Sequence, residues 1–286
     1  MGRIKHIIFD LGGVILTLDP NQAVRRFEEI GVKDAAQRLD SYTQHGLFGD
    51  LEHGLITAEE FRKSLSELVG REVSHKECAY GWQGYALELP ERNKHILRKL
   101  RSEGYRLILL SNTNPYMMEW VSSPDFDGEG HPVEDYMDAC YLSYKLKLMK
   151  PDVAFFRKVL EAEQISPDKT LFLDDGPRNV EAAASLGIHT MQPINGEDWT
   201  KEIYDYLNKE SDEKDHIGFV GLIADSCGRS PETGDARSVD TVRERTVPGL
   251  GEGEDAADTD LSTRRVAEGR REYDYLPGAS GVRCTL

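Results

Sequence analysis

Three short apolar runs constrain this chain more than any other feature: His6-Ile-Ile-Phe9, Arg106-Leu-Ile-Leu-Leu110 and Thr170-Leu-Phe-Leu173, with a weaker fourth at His189-Thr-Met191. None alternates apolar with polar residues, so each reads as a strand covered on both faces. Helical patterns lie between them over 90–103, 151–163 and 177–186, with prolines at the starts and Gly104 and Gly187 just past two of the ends, where helices favour them. Strands alternating with helices require right-handed crossovers, which predicts an α/β fold with a doubly wound parallel sheet. Such a sheet binds ligands at the carboxyl ends of its strands, so the residues just after each run are where chemistry is expected.

Residues 20–88 break the alternation. They read as helices over 21–30, 35–43, 57–69 and 74–85, the third opened by the capping-box pattern Thr57-Ala-Glu-Glu60. A helical block inserted after the first strand is expected to form a small cap beside the mouth of the sheet. The composition changes again near residue 209, where Leu, Ile, Val and Phe fall to about 18% of residues 209–286, below the roughly 20% that goes with disorder. The expected organisation is a core from 1–18 plus 89–208, a helical cap over 19–88, and a low-complexity acidic tail over 209–286 that is disordered.

Fifty-one acidic against 35 basic residues give a net charge of −16. That field repels phosphate backbones and anionic lipid, which argues against nucleic-acid or membrane-surface binding. No apolar run approaches the roughly 18 residues of a membrane span. Cys78, Cys140, Cys227 and Cys284 are far apart with no CxxC pair, a pattern suited to reduced thiols in a cytoplasmic protein. A metal, if bound, is expected to be held by oxygen.

The strand ends supply Asp10-Leu-Gly-Gly-Val14, Ser111-Asn112-Thr113-Asn114 and Asp174-Asp175-Gly176, and Lys150 stands in Met149-Lys-Pro-Asp152. The inventory is an isolated carboxylate, a hydroxyl, an ammonium and a carboxylate pair. Taken singly these residues could be strand-end caps or helix N-caps. A pair of adjacent acids ending an apolar strand, however, repel each other unless a cation lies between them.

In order, strand placement and the helical insertion after the first motif, residues 4–208 resemble the haloacid dehalogenase superfamily of phosphohydrolases, in its helical-cap subfamily. Asp174-Asp175 followed by Asn179, the Leu-Ser-Asn-Thr-Asn114 string and Gly81-Trp82-Gln83 more narrowly resemble the branch containing alpha-D-glucose-1-phosphate phosphatase. The resemblance implies a magnesium-dependent phosphomonoesterase acting on small phosphorylated metabolites, sugar phosphates such as glucose 1-phosphate first. Asp10 would attack phosphorus and form an aspartyl-phosphate, dividing one difficult displacement into two easier ones. Mg²⁺ would be held by Asp10, the Gly12 carbonyl, Asp175 and Asp174. Ser111 and the backbone N–H of Asn112 would donate to the phosphoryl oxygens, and Lys150 would supply positive charge.

One position departs from the family pattern. The usual second aspartate, two residues after the nucleophile, is Gly12 here, so a general acid–base contribution of roughly 10²- to 10⁴-fold is missing from its usual place. Asp19, His45 and His53 are the expected substitutes. Selectivity is expected from the cap through Tyr42, His45, Phe48, Trp82 and Tyr85, with the polar loop Ser122 to Asp135 as a second rim. The alternatives are a nucleotide or flavin phosphate phosphatase, a catalytically weak interaction protein on the same fold and, less favoured, a 2-haloacid dehalogenase.

Overall fold

The computed structural model describes residues 4–39 and 44–207. Residues 209–286, and with them the expected disordered tail, lie outside the described residues, as does Tyr42. In chain order the elements are β1 (His6–Phe9), β2 (Thr17–Leu18), α1 (Pro20–Ile30), α2 (Ala35–Arg38), α3 (Leu47–Glu52), α4 (Ala58–Val69), α5 (His75–Trp82), β3 (Ala86–Glu88), α6 (Glu91–Ser102), β4 (Arg106–Ser111), α7 (Pro115–Val121), β5 (Ala139–Leu142), α8 (Ser143–Leu146), α9 (Val153–Glu163), β6 (Thr170–Leu173), α10 (Pro177–Ser185) and β7 (His189–Met191).

Five parallel strands form the sheet in the order β5-β4-β1-β6-β7, and β2 pairs with β3 in a separate antiparallel ribbon. Both faces are covered, as the uninterrupted apolar runs require. Ile7, Phe9, Leu107, Leu109, Leu171 and Leu173 face one cluster, while Ile8, Ile108, Leu110 and Phe172 face another with Phe155, Phe156 and Val159 of α9. Successive strand residues therefore point to opposite faces and both find apolar partners.

The helices start where local chemistry directs. Thr57 accepts from the Glu60 N–H while Glu60 reaches back to the Thr57 backbone, and Ser74 with Glu77 repeats the box at α5. The helical block has its own aromatic centre. Phe27, Phe48, Phe61 and Trp82 pack with ring centroids 5.0–5.8 Å apart. Tyr116 of α7 enters this cluster 5.8 Å from Phe61, and its hydroxyl donates to the Ala58 carbonyl at 2.7 Å. A buried ring with a satisfied hydroxyl thus pins the helical block to the element that follows β4.

Among the described residues, no helix is long and apolar enough to cross a membrane.

Candidate active site

The register of the sheet brings the strand-end residues together. Phe9 of β1 is paired with Leu109 on one side and Leu173 on the other, so Asp10 and Asp174 leave their strands at the same level. The Asp10 N–H donates to the Leu173 carbonyl at 2.9 Å. The strand order places the crevice between β1 and β6 at the point where the chain reverses direction across the sheet, the position where such sheets hold ligands.

Lys150 sits at the centre, 3% exposed. Its Nζ lies 2.8 Å from Asp10 Oδ2 and 2.6 Å from Asp174 Oδ2. Asn112 aims it, since the Asn112 side chain donates to the Lys150 carbonyl at 2.8 Å and accepts from the Lys150 N–H at 2.9 Å. Burial pulls the ammonium toward its neutral form, but Asp10 and Asp174 overcome it and hold the lysine above its ordinary value. Asp174 is fully buried, and its other oxygen accepts from the Gly176 N–H at 2.8 Å and Asn179 Nδ2 at 2.9 Å. Both Asp174 oxygens are thus engaged in positioning Lys150 and the following turn.

Asp10, Asp174 and Asp175 offer carboxylate oxygens within 4.8 Å of one another. Burial pushes the Asp10 carboxyl well above the ordinary carboxylate range, with Asp174 and Asp175 adding to the effect against Lys150. Burial, then Asp174, pushes Asp175 up to about 6. A single ammonium does not neutralise three close acids, and the hard oxygen donors suit a small divalent cation. Gly13 adds a steric condition. At φ +75°, a Cβ there would stand 2.2 Å from Asp175 Oδ2, so the backbone closes against this carboxylate where a side chain cannot be accommodated.

Asp10, Gly12, Ser111, Asn112, Lys150 and Asp175 all line one cavity of about 100 Å³, together with Gln44, Glu52, Trp82 and Tyr85 from the helical block. The structure corrects several expectations around it. Asp19 is the N-cap of α1, accepting from the Asn21 N–H at 3.0 Å and from Arg25 at 3.2 Å, and it does not line the cavity. His45 and His53 line a neighbouring cleft of about 450 Å³ that shares Gln44, Asn112, Lys150 and Asn179 with the first. Phe48 is fully buried in the aromatic centre of the helical block. The loop expected as a second rim, Ser122 to Asp135, lines neither cleft. It is held instead by Lys94 of α6, whose ammonium donates to the Asp127 carbonyl at 3.2 Å and to Glu129 at 2.6 Å.

At position 12 an added Cβ would lie 2.7 Å from Leu18 Cδ1, the outer end of a flexible side chain, so a larger residue there requires the leucine of β2 to shift. Sequence reasoning missed Gln44 and Glu52 as lining residues, since α3 is six residues long and opens at Gly46 without a side-chain cap, which leaves almost no local signal.

The model of the haloacid dehalogenase-like hydrolases matches residues 4–187. D-ribitol-5-phosphate phosphatase of Bacteroides thetaiotaomicron is 44% identical over 205 residues, covering 72% of this chain and 99% of that protein. Among solved structures, a haloacid dehalogenase-like hydrolase from Porphyromonas gingivalis superposes with a TM-score of 0.69 at 39% identity, over 72% of this chain and 98% of the other. A wild-type enzyme of the same family from Bacteroides thetaiotaomicron, in complex with magnesium and inorganic phosphate, superposes with a TM-score of 0.62 at 38% identity over 68% of this chain and 97% of the other.

Proposed function

This chain belongs to the haloacid dehalogenase-like hydrolase family, and from that premise we propose that it is a magnesium-dependent phosphomonoesterase for small sugar and sugar-alcohol phosphates, working through an aspartyl-phosphate at Asp10. The observation that carries the reading is the buried Lys150 ammonium, 2.8 Å from Asp10 and 2.6 Å from Asp174, at the floor of a cavity.

Asp10 is the nucleophile: one oxygen attacks phosphorus in line with the departing alcohol. The Leu11 N–H, donating to Asp10 Oδ1 at 2.6 Å, fixes the carboxylate's orientation. Ser111 Oγ and the Asn112 N–H donate to the phosphoryl oxygens, while the Asn112 side chain keeps Lys150 in place. Lys150 offsets charge that builds on the transferring group. Asp10, Asp175, the Gly12 carbonyl and Asp174 would hold Mg²⁺, which would supply the charge neutralisation that lets a phosphate dianion approach the acids. The chain's net charge of −16 makes this local positive charge a requirement.

The substrate class draws support from the relative that acts on D-ribitol 5-phosphate and from the cavity lining. Tyr85, whose hydroxyl donates to Gln44 at 2.9 Å, and Trp82 line the cavity, and amphipathic aromatic side chains suit a hydroxylated ligand. The three acids argue against a 2-haloacid dehalogenase, because they repel that substrate's carboxylate.

Phosphate release from a panel containing ribitol 5-phosphate, glucose 1-phosphate, a nucleotide and a flavin phosphate, with Mg²⁺ and with EDTA, tests the proposal. Metal-dependent release from the polyol and sugar phosphates is expected, and none from folded Asp10→Asn. Turnover by that variant, free of contaminating phosphatase, would refute the covalent mechanism.

A further inference from the structure

Gly12 leaves the proposed reaction without a proton donor in the family's usual place, and the three substitutes expected from sequence are not on the cavity that holds Asp10. Among the described residues, the acidic residues lining that cavity are Asp10, Asp175 and Glu52. The first two belong to the acid cluster beside Lys150. Glu52 is the last residue of α3, in the helical block.

The segment carrying Glu52 is held against the phosphate-binding side of the cavity by main-chain geometry. The Ser143 hydroxyl, just after β5, donates to the Glu52 carbonyl at 2.6 Å and also accepts from the Thr113 N–H at 2.9 Å. One buried hydroxyl therefore joins the end of α3 to the Ser111–Asn114 loop. Two residues on, Gly54 at φ +71° would place a Cβ 2.1 Å from the Tyr144 carbonyl oxygen. The two backbones meet with no room for a side chain. The end of α3 is thus registered to the core, and Glu52 lines the same cavity as Asp10, Ser111 and Lys150.

We propose that Glu52 is the general acid and base of this enzyme, supplying from the helical block the function of the aspartate that Gly12 lacks. The proposal rests on the phosphatase reading above. In the first step an Asp10 oxygen forms a bond to phosphorus as the bond to the alcohol oxygen breaks, and the Glu52 carboxyl gives its proton to that oxygen. In the second, the Glu52 carboxylate takes a proton from water as the water oxygen attacks phosphorus. The Asp10–phosphorus bond breaks, which releases phosphate and restores both side chains.

The test compares Glu52→Gln with wild type on three Mg²⁺-loaded reactions: p-nitrophenyl phosphate, whose leaving group departs without a proton; ethyl phosphate, whose leaving group needs one and carries no hydroxyls; and ribitol 5-phosphate. Because the Ser143 bond uses the main-chain carbonyl, the substitution leaves the junction with the core intact, and circular dichroism and thermal melting check this. The expected result is a loss of roughly 10²- to 10⁴-fold in kcat/KM on ethyl and ribitol phosphates, with p-nitrophenyl phosphate changed by less than about tenfold. Glu52→Asp should retain part of the difference. Equal losses on all three, or a loss confined to ribitol 5-phosphate, would overturn the proposal, the second by making Glu52 a hydroxyl-binding residue. A wild type inactive on all three would overturn the phosphatase reading and the proposal with it.

Discussion

Gly13 gives the sharpest test of the acid cluster, because the structure contains its own control. Gly13 and Gly70 adopt nearly the same left-handed backbone, φ +75° and +73°. An alanine at either position costs about 1–2 kcal/mol for the left-handed conformation. Their surroundings differ completely. An added Cβ at Gly70 meets nothing within 4 Å, whereas at Gly13 it would stand 2.2 Å from Asp175 Oδ2 and 2.3 Å from its Cγ. To restore ordinary contact the carboxylate must retreat by about 1 Å, a displacement that costs on the order of 10²-fold when it misplaces reacting groups. Both variants should melt lower by a few degrees, at roughly 2–4 °C per kcal/mol for a folded unit of this size. Gly70→Ala should keep wild-type Mg²⁺ affinity by calorimetry and wild-type kcat/KM. Gly13→Ala should lose both by about 10²-fold or more. A Gly13→Ala protein that binds Mg²⁺ and turns over like Gly70→Ala would refute the placement of Asp175 against the Gly13 backbone as a condition of the site.

Two further outcomes follow from the same geometry. With Asp175 pushed up to about 6 and Asp10 raised as well, the metal-free folded state holds protons that the unfolded chain has released, so these groups stabilise the fold at low pH and lose that contribution as pH rises from about 4 through 6. Mg²⁺ must displace those protons, so the gain in melting temperature on adding it should be small at pH 5 and large at pH 7, and equal gains at both would refute the assignment. Lys94 is 3% exposed and ties α6 to the 122–135 loop. Lys94→Met should cost about 1–3 kcal/mol in chemical denaturation with kcat/KM unchanged, whereas a specific loss of activity would return that loop to the rim of the site.

The strands and their terminal residues were legible because each signal is local. A short apolar run without alternation, as in 6–9, 106–110 and 170–173, reads as a strand buried on both faces, and β1, β4 and β6 lie there. The capping box at Thr57 likewise announces its helix over a few residues. Elements whose stability comes from contacts made elsewhere left no such trace. The edge strand β5, four residues pairing with β4 alone, and α3, six residues without a side-chain cap, exist because neighbours cover them. Lys150 shows the same division. Its presence can be read from the chain, but only the fold shows it enclosed between Asp10 and Asp174 and aimed by Asn112. Gly12 could be seen as a missing aspartate, while the residue proposed to replace it, Glu52, comes to the same cavity from a segment distant in sequence. Periodicity and capping are properties of consecutive residues and therefore belong to the sequence; which side chains share a cavity is set by packing between segments that no local pattern encodes.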